Sequence, residues 1–248
     1  MRQSNYYVIL FSVILTVVLG GLLAATSEGL GPIQKKSVEL DTKKQILGAV
    51  IEVTPEMDVL ETYEKAIKSE VVDYNGNIVT ENEKGEKIIA EDVNVEKQFD
   101  KAPEERLYPV FKFFGKDGGD EVVSYILPVY GNGLWDNIWG YIALDTEGET
   151  IKGAVFAHAG ETPGLGARIT EEEVQARFEG KELYNDQGEL VSVKMLKGEN
   201  NPESKLDEHH VDGMSGATIT GNGLNAMLEN YFKYYQSYFN KKGTTATL

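Results

Sequence analysis

The chain of 248 residues contains no cysteine. That excludes a disulfide framework, an iron–sulfur cluster, a thiolate zinc site and a cysteine nucleophile, and it leaves no thiol to lipidate. Histidine is scarce, limited to His158, His209 and His210. There is no H-E-x-x-H helix, and His209-His210 follows Asp207-Glu208 in a stretch that reads as a solvated loop, so no metal site is expected. Positive charge is in deficit: 24 Lys and Arg face 40 Asp and Glu, a formal net charge of −16 at pH 7. A surface of that sign excludes nucleic acid as an expected partner and disfavours docking along anionic lipid headgroups. Internal repeats, low-complexity tracts and a Gly-x-Ser-x-Gly nucleophile elbow are all missing. Apolar residues at 41% and charged residues at 26% still provide for a real core.

What the chain does have is one long apolar run. Residues 6–25 carry no charged side chain, and a helix of that length spans about 30 Å, the hydrocarbon thickness of a bilayer. Ser12 and Thr16 can return their hydroxyls to carbonyls one turn back, and Tyr6 and Tyr7 lie where interfacial aromatic anchors lie. The segment reads as a retained transmembrane anchor inserted in the lipid bilayer. A cleaved secretory signal ending near Leu23-Ala24-Ala25 and a buried core helix are the competing readings; the run is longer than the roughly 7–15 residues of a signal core. GxxxG spacing is absent from the span, which removes the simplest reason for helix pairing. Arg2 precedes the span, Glu28 follows it and Lys35-Lys36 lie farther on, so the positive-inside rule places the N-terminus in the cytoplasm and the remainder outside. From residue 26 onward 23 Lys and Arg face 40 Asp and Glu, and a cysteine-free exterior suits an oxidising compartment.

Three parts are expected: an anchor over residues 1–26, an N-terminal exterior part over 27–106, and a domain over 107–248. Residues 27–37, with Gly29, Gly31 and Pro32, read as a stalk. Helices are predicted over 41–50 and 55–68, the second capped by Thr54 with Pro55 at its first position. Asn75-Gly76 predicts a hairpin over 71–80, and the charge-rich residues 81–102 an exposed loop. Strands are predicted over 107–114, 121–130, 139–145 and 150–157, joined through Gly115, Gly118-Gly119 and Glu147-Gly148 as antiparallel hairpins. Thr170-Glu171-Glu172-Glu173 reads as a capping box opening a helix to about Phe178, and residues 190–196 as another strand. Leu224, Leu228, Tyr231, Phe232, Tyr235 and Phe239 recur at helical spacing and predict a helix over 223–239 with a core-facing aromatic stripe; residues 244–248 should fray. Hairpins interleaved with a few helices define an α+β class with a largely antiparallel sheet.

Two loops carry chemistry. His158 closes a strand ahead of Glu161-Thr162-Pro163-Gly164-Leu165-Gly166, whose proline and glycines describe a fixed path able to approach a planar ligand closely, or an ordinary structural loop. Glu161 itself is too isolated for a hydrolase dyad. Asp212-Gly213-Met214-Ser215-Gly216-Ala217-Thr218-Ile219-Thr220 precedes the last helix with small residues and three hydroxyls; phosphate binding at a helix start and plain N-capping explain it equally well. Gly221-Asn222-Gly223-Leu224-Asn225-Ala226 spells a dinucleotide fingerprint, but 22 residues remain after Ala226 and Lys241 stands where the acidic residue belongs. That match is discarded.

Asp212-x-x-Ser215-Gly216-Ala217-Thr218-x-Thr220 resembles the flavin-attachment motif of bacterial FMN-binding domains, most closely that of the C-subunit family of the sodium-translocating NADH:quinone reductases. The resemblance extends to the anchor, to Tyr130-Gly131-Asn132-Gly133-Leu134-Trp135 and to the segment from His158 to Gly166, in the family's order. It implies an extracytoplasmic α/β FMN-binding domain whose FMN is esterified through its phosphate to Thr220 by a separate flavin transferase, with Ser215, Gly216, Ala217 and Thr218 shaping the attachment turn and Asp212 serving recognition. Thr162, Gly164, Leu165 and Gly166 would lie against the flavin, with Leu134 and Trp135 a weaker addition. It implies an inner-membrane electron-transfer subunit with its main domain in the periplasm, part of an oxidoreductase that takes electrons from NADH to ubiquinone. Electrons would pass between an intramembrane iron–sulfur centre and the FMN of the B subunit, with no independent catalytic residue in this chain. The G subunit of the Rnf-type ferredoxin:NAD reductases shares anchor and covalent FMN, but Gly133-Leu134-Trp135 favours the quinone-reductase subunit. A membrane-anchored assembly or binding subunit without redox chemistry is the remaining alternative.

Overall fold

A computed structural model describes residues 4–82 and 84–245. Arg2, on which the expected orientation of the anchor rests, lies outside the described residues, as do residues 246–248 of the expected frayed tail. The chain divides into two compact units, Met1–Lys43 and Lys44–Leu248. The first helix, α1 (Asn5–Gly48), is long and apolar enough to cross a membrane, and Thr16 and Thr26 return their hydroxyls to Ser12 O and Leu22 O. The expected stalk over 27–37 is helical instead, with Pro32 inside α1. Proline removes one amide donor from a helix, and propagation from established turns on both sides outweighs that single loss.

The second unit is built on a five-stranded sheet, β1 (Ile67–Val72), β2 (Tyr108–Phe113), β3 (Ser124–Asn132), β4 (Asn137–Leu144) and β5 (Ile151–His158), in sequence order with every neighbour antiparallel. The sheet thus takes a strand from each side of residue 106. Period-two alternation assigns its faces. Tyr125, Leu127 and Val129 of β3 face one core and Ile126 the other, as Val110 and Phe111 do in β2. On the first face lies the long helix α5 (Thr218–Thr245), through Leu224, Met227, Leu228, Tyr231, Phe232, Tyr235 and Tyr238. The second face packs Ile46, Leu47 and Ala49 together with Tyr63 and Ala66 of α2 (Val59–Ala66).

Several boundaries differ from expectation. Asp58, not Thr54, caps α2, its Oδ1 accepting the Glu61 amide at 3.0 Å. Pro55 lies in the turn closed by the Met57 amide on Thr54 O, and residues 67 and 68 leave the helix because β2 offers them a ladder, Ile67 opposite Phe113. Residues 81–102 are more ordered than an open loop, holding a 3-10 turn (Ala90–Asp92) and the short helix α3 (Val95–Phe99) capped by Asn94. The capping box does not form: Thr170 ends a 3-10 helix (Gly166–Thr170) with its hydroxyl on Ala167 O, and α4 (Glu172–Ala176) starts with no side-chain cap. Of the 190–196 strand only β6 (Lys194–Met195) survives, paired in parallel with β7 (His210–Val211), because Ser192 adopts φ 63° and breaks the extended run.

The largest revision concerns α5, which begins five residues before the expected Gly223. Gly221, left outside the expected helix, and Gly223, taken as its first residue, both lie within it and allow close packing: a Cβ on Gly223 would strike Asn132 O at the end of β3, and one on Gly221 would press on Met195. The Tyr235 hydroxyl, farther along α5, donates to Pro109 O of β2 at 2.8 Å and lies 3.4 Å from Pro128 O of β3. It is a fully buried donor tying the helix to two strands. Tyr235→Phe is expected to cost about 1–2 kcal/mol, read as a lowered urea midpoint at unchanged m-value.

Candidate functional site

Topology gathers three distant segments at one end of the sheet. In the β3–β4 hairpin the last pair, Asn132 opposite Asn137, is followed by the turn Gly133–Asp136, closed by the Gly133 amide on Asp136 O at 2.8 Å. Because β4 and β5 are antiparallel, the start of β4 meets the end of β5, Ile138 opposite His158. The loop after His158 therefore begins beside that turn. The first turns of α5 lie over the same end, since Gly223 abuts Asn132 and Gly131 abuts Met227.

At the meeting point stands Glu161, 4% exposed. Its Oε1 accepts the backbone amides of Leu134 at 2.8 Å and Trp135 at 3.0 Å, and its Oε2 accepts the Thr220 hydroxyl at 2.6 Å. Its own amide donates to His158 Nδ1 at 3.3 Å. Among the described residues no cation pairs with Glu161. Burial pushes its carboxyl pKa up, but the Thr220 hydroxyl and the Trp135, Leu134 and Asp136 amides outweigh burial and hold it below the ordinary glutamate value. It is a buried anion held by dipoles alone.

Thr220 itself has no exposed surface. Gly166 covers it so closely that a Cβ there would collide with both Glu161 Oε2 and Thr220 Oγ1. Around this buried centre the surface is apolar and open: Trp135 is 71% exposed, and Leu134, Leu165 and Ile219 are exposed as well. The Trp135 indole N–H donates to Thr162 Oγ1 at 3.1 Å, which ties the β3–β4 turn to the second loop. Gly216, at φ +74°, adopts a conformation that other residues rarely take and passes close against the Leu165 side chain. The structure thus brings Leu134, Trp135, Thr162, Leu165, Gly166, Gly216 and Thr220 together. Ala217 is buried and its carbonyl takes the first bond of the helix, from the Gly221 amide at 2.9 Å. The preceding amides of that turn are thereby aimed out of the N-terminus, as in anion sites. Thr218, half-buried, opens the helix; Gly164 and Ser215 are exposed, and Gly164 has open space where a side chain would be.

Asp212 lies apart from this centre. Its carboxylate accepts the Asn200 amide at 2.8 Å and the Asn201 amide and side chain at 3.0 and 2.8 Å, fixing the turn that backs the motif. His209 and His210 are also remote, with Nδ1 atoms on Glu182 O at 2.8 Å and on the Asp207 carboxylate at 2.6 Å.

Sequence reasoning misses two residues. Glu161 reads as isolated, and in sequence it is, 59 positions from Thr220. The available signal is its place between His158 and a Thr-Pro-Gly-Leu-Gly run, in a loop otherwise free of charge. Glu199 stands outside every motif; it grips Arg168 in a bidentate pair at 3.0 and 2.7 Å, touches Arg177 at 3.5 Å, and reaches the Ser215 amide at 3.4 Å. It joins the 3-10 helix after the second loop to the segment that leads into α5.

Comparison with known proteins fits this geometry. Residues 133–233 match the sequence model of the FMN-binding domain family, which spans the β3–β4 turn, the second loop and most of α5. The fold and motifs therefore define an FMN-binding-domain protein. The chain is 33% identical to the C subunit of the Na(+)-translocating NADH-quinone reductase of Vibrio anguillarum, over 90% of this chain and 87% of the relative. It is 34% identical to the corresponding C subunit of Haemophilus ducreyi, over 90% and 86%. The crystal structure of the C subunit from Parabacteroides distasonis is similar with a TM-score of 0.70 at 34% identity, covering 85% of this chain and 96% of that one. The chain belongs to the C-subunit family of the Na(+)-translocating NADH-quinone reductases.

Two expectations follow from the geometry. Gly166→Ala forces its methyl onto Glu161 and Thr220 and should cost about 1–3 kcal/mol, measured as a loss of thermal stability. Glu199 has its carboxyl pKa lowered from 4.5 to about 2, mainly by the Arg168 guanidinium. Between those values the unfolded chain binds a proton that the folded chain does not, so this contribution is present above about pH 4.5 and disappears as pH falls toward about 2. Urea midpoints of Glu199→Gln should fall less steeply than those of the unaltered chain across that window.

Proposed function

We propose that this chain is the membrane-anchored, flavin-carrying electron-transfer subunit of a sodium-translocating NADH:quinone oxidoreductase, with FMN held through a phosphoester to Thr220. The observation that carries the reading is the position of the Thr220 hydroxyl, in the first turn of α5 where three segments converge beneath an exposed apolar rim. The residues fit the group. Helix-start amides and small residues suit a phosphate, while Leu134, Trp135, Leu165 and Ile219 offer the apolar surface a planar ring system needs. When bound, FMN supplies reversible one- and two-electron transfer.

The chain's own residues hold and orient. Thr220 supplies the tether, Gly216 and Gly166 allow the backbone to close on it, and the Trp135–Thr162 bond fixes one wall of the rim. No side chain at the site is required to act as acid or base on an organic substrate. In this assignment α1 anchors the chain in the inner membrane by a single pass, with a cytoplasmic N-terminus and a periplasmic domain. The partners are the membrane subunits that bear the iron–sulfur centre, the B subunit with its own FMN, and a flavin transferase for maturation. Covalency is then a retention device, since a flavin lost outside the cytoplasm is not readily replaced.

The full-length chain, exported in cells that contain a flavin transferase, should show flavin fluorescence that survives a denaturing gel and a mass increment on the peptide containing Thr220. Thr220→Ala should remove both while leaving a folded, inserted chain. Retained covalent flavin in Thr220→Ala defeats the assignment.

A further inference from the structure

We infer that Glu161 is the proton acceptor for the attachment of flavin to Thr220, a catalytic role supplied by the acceptor protein itself; this rests on the attachment assigned above. The Thr220 hydroxyl already donates to Glu161 Oε2 at 2.6 Å, within the range from which a general base removes a proton. Three features separate this contact from an ordinary structural bond. Among the described residues the buried carboxylate has no cation within ion-pair distance, an arrangement that costs stability and is concentrated at functional sites. Its second oxygen is fixed by the Leu134 and Trp135 amides, so Oε2 is aimed at the hydroxyl and cannot swing away. Gly166, five residues on in the same loop, lies directly over both Glu161 Oε2 and Thr220 Oγ1, so the hydroxyl's proton is engaged by the carboxylate in a site closed to other side chains.

The chemistry requires a donor in which the FMN phosphate is activated as a phosphoanhydride, as in the flavin dinucleotide FAD. The Thr220 Oγ–P bond forms as the P–O bond to the AMP portion breaks, and the bonding pair leaves with AMP. The hydroxyl proton passes to Glu161 and then to solvent. Nothing is oxidised or reduced. A carboxylate is a weak base toward an alcohol, but here it is already within hydrogen-bond reach of the proton it removes, and for a general base geometry comes before pKa. Proton receipt also neutralises Glu161 while the transfer takes place, so the incoming phosphate does not meet a buried anion at the moment the bond forms.

The test is a labelling time course on the full-length chain, made without flavin transferase, purified in detergent, and then incubated with transferase and FAD. Intact mass is the readout, with thermal melting as the control for folding. Glu161→Gln can still accept the Leu134 and Trp135 amides and should label about 100-fold more slowly. The ratio of unaltered to variant rates should shrink as pH is raised from about 6 to about 9, because hydroxide substitutes for a missing base; groups on the transferase cancel in that ratio. Glu161→Asp, which restores a carboxylate, should label faster than Glu161→Gln. Labelling of Glu161→Gln within twofold of the unaltered chain overturns the inference. So does a slowing with no pH dependence in the ratio, or equal rates for the Asp and Gln variants at matched melting temperature. If the unaltered chain gains no flavin at Thr220, the attachment reading fails first and takes this inference with it.

Discussion

One buried carboxylate organises this end of the molecule. Glu161 binds the β3–β4 turn through two amides and the first turn of α5 through a hydroxyl, while its own backbone begins the loop that lies over them. Remove its side chain and three segments lose their common partner. The interaction also sets a constraint, since an anion without a counter-ion is tolerated in the interior only while every lone pair facing inward is engaged. In a chain with a net charge of −16, no compensation is available from the general field. Local dipoles have to supply it, which is why the turn at Leu134 and Trp135 presents consecutive amides.

The sheet makes this meeting possible without long-range design. An antiparallel meander puts the β3–β4 turn and the end of β5 side by side, and a helix laid along β3 completes the group at its first turn. Tertiary closeness then requires small residues where segments touch, and the glycines at 131, 133, 166, 216 and 223 fall at those contacts. Glu199 adds an outer brace between the second loop and the segment leading into α5 through Arg168.

Much of this is legible in the sequence. The four hairpin strands read correctly to within a few residues because alternation and glycine turns are local signals. The aromatic stripe of α5 reads correctly for the same reason. The start of α5 does not: Gly221 and Gly223 obscure where the helix begins when read locally, and their purpose lies in contacts with Met195 and Asn132, which stand far outside any local window. Pro32 misleads in the same way. The motif residues can be named from a resemblance, yet the bond between Glu161 and Thr220 exists only once the sheet has formed, and so its acidic partner looks like one glutamate among many.

The proposed tether point is mechanically well defined. Thr220 sits in the rigid framework, not on a loop, because α5 is pinned along the sheet by an unbroken aromatic stripe that ends in the Tyr235 and Tyr238 contacts with the strands. Cargo fastened there has its root fixed by the folding core, so its wander is confined to the few torsions of its own linkage. A redox group mounted in this way keeps a nearly constant distance to any docking face of the domain, and electron tunnelling, which decays steeply with distance, is then governed by how partners approach and not by slack in the mount.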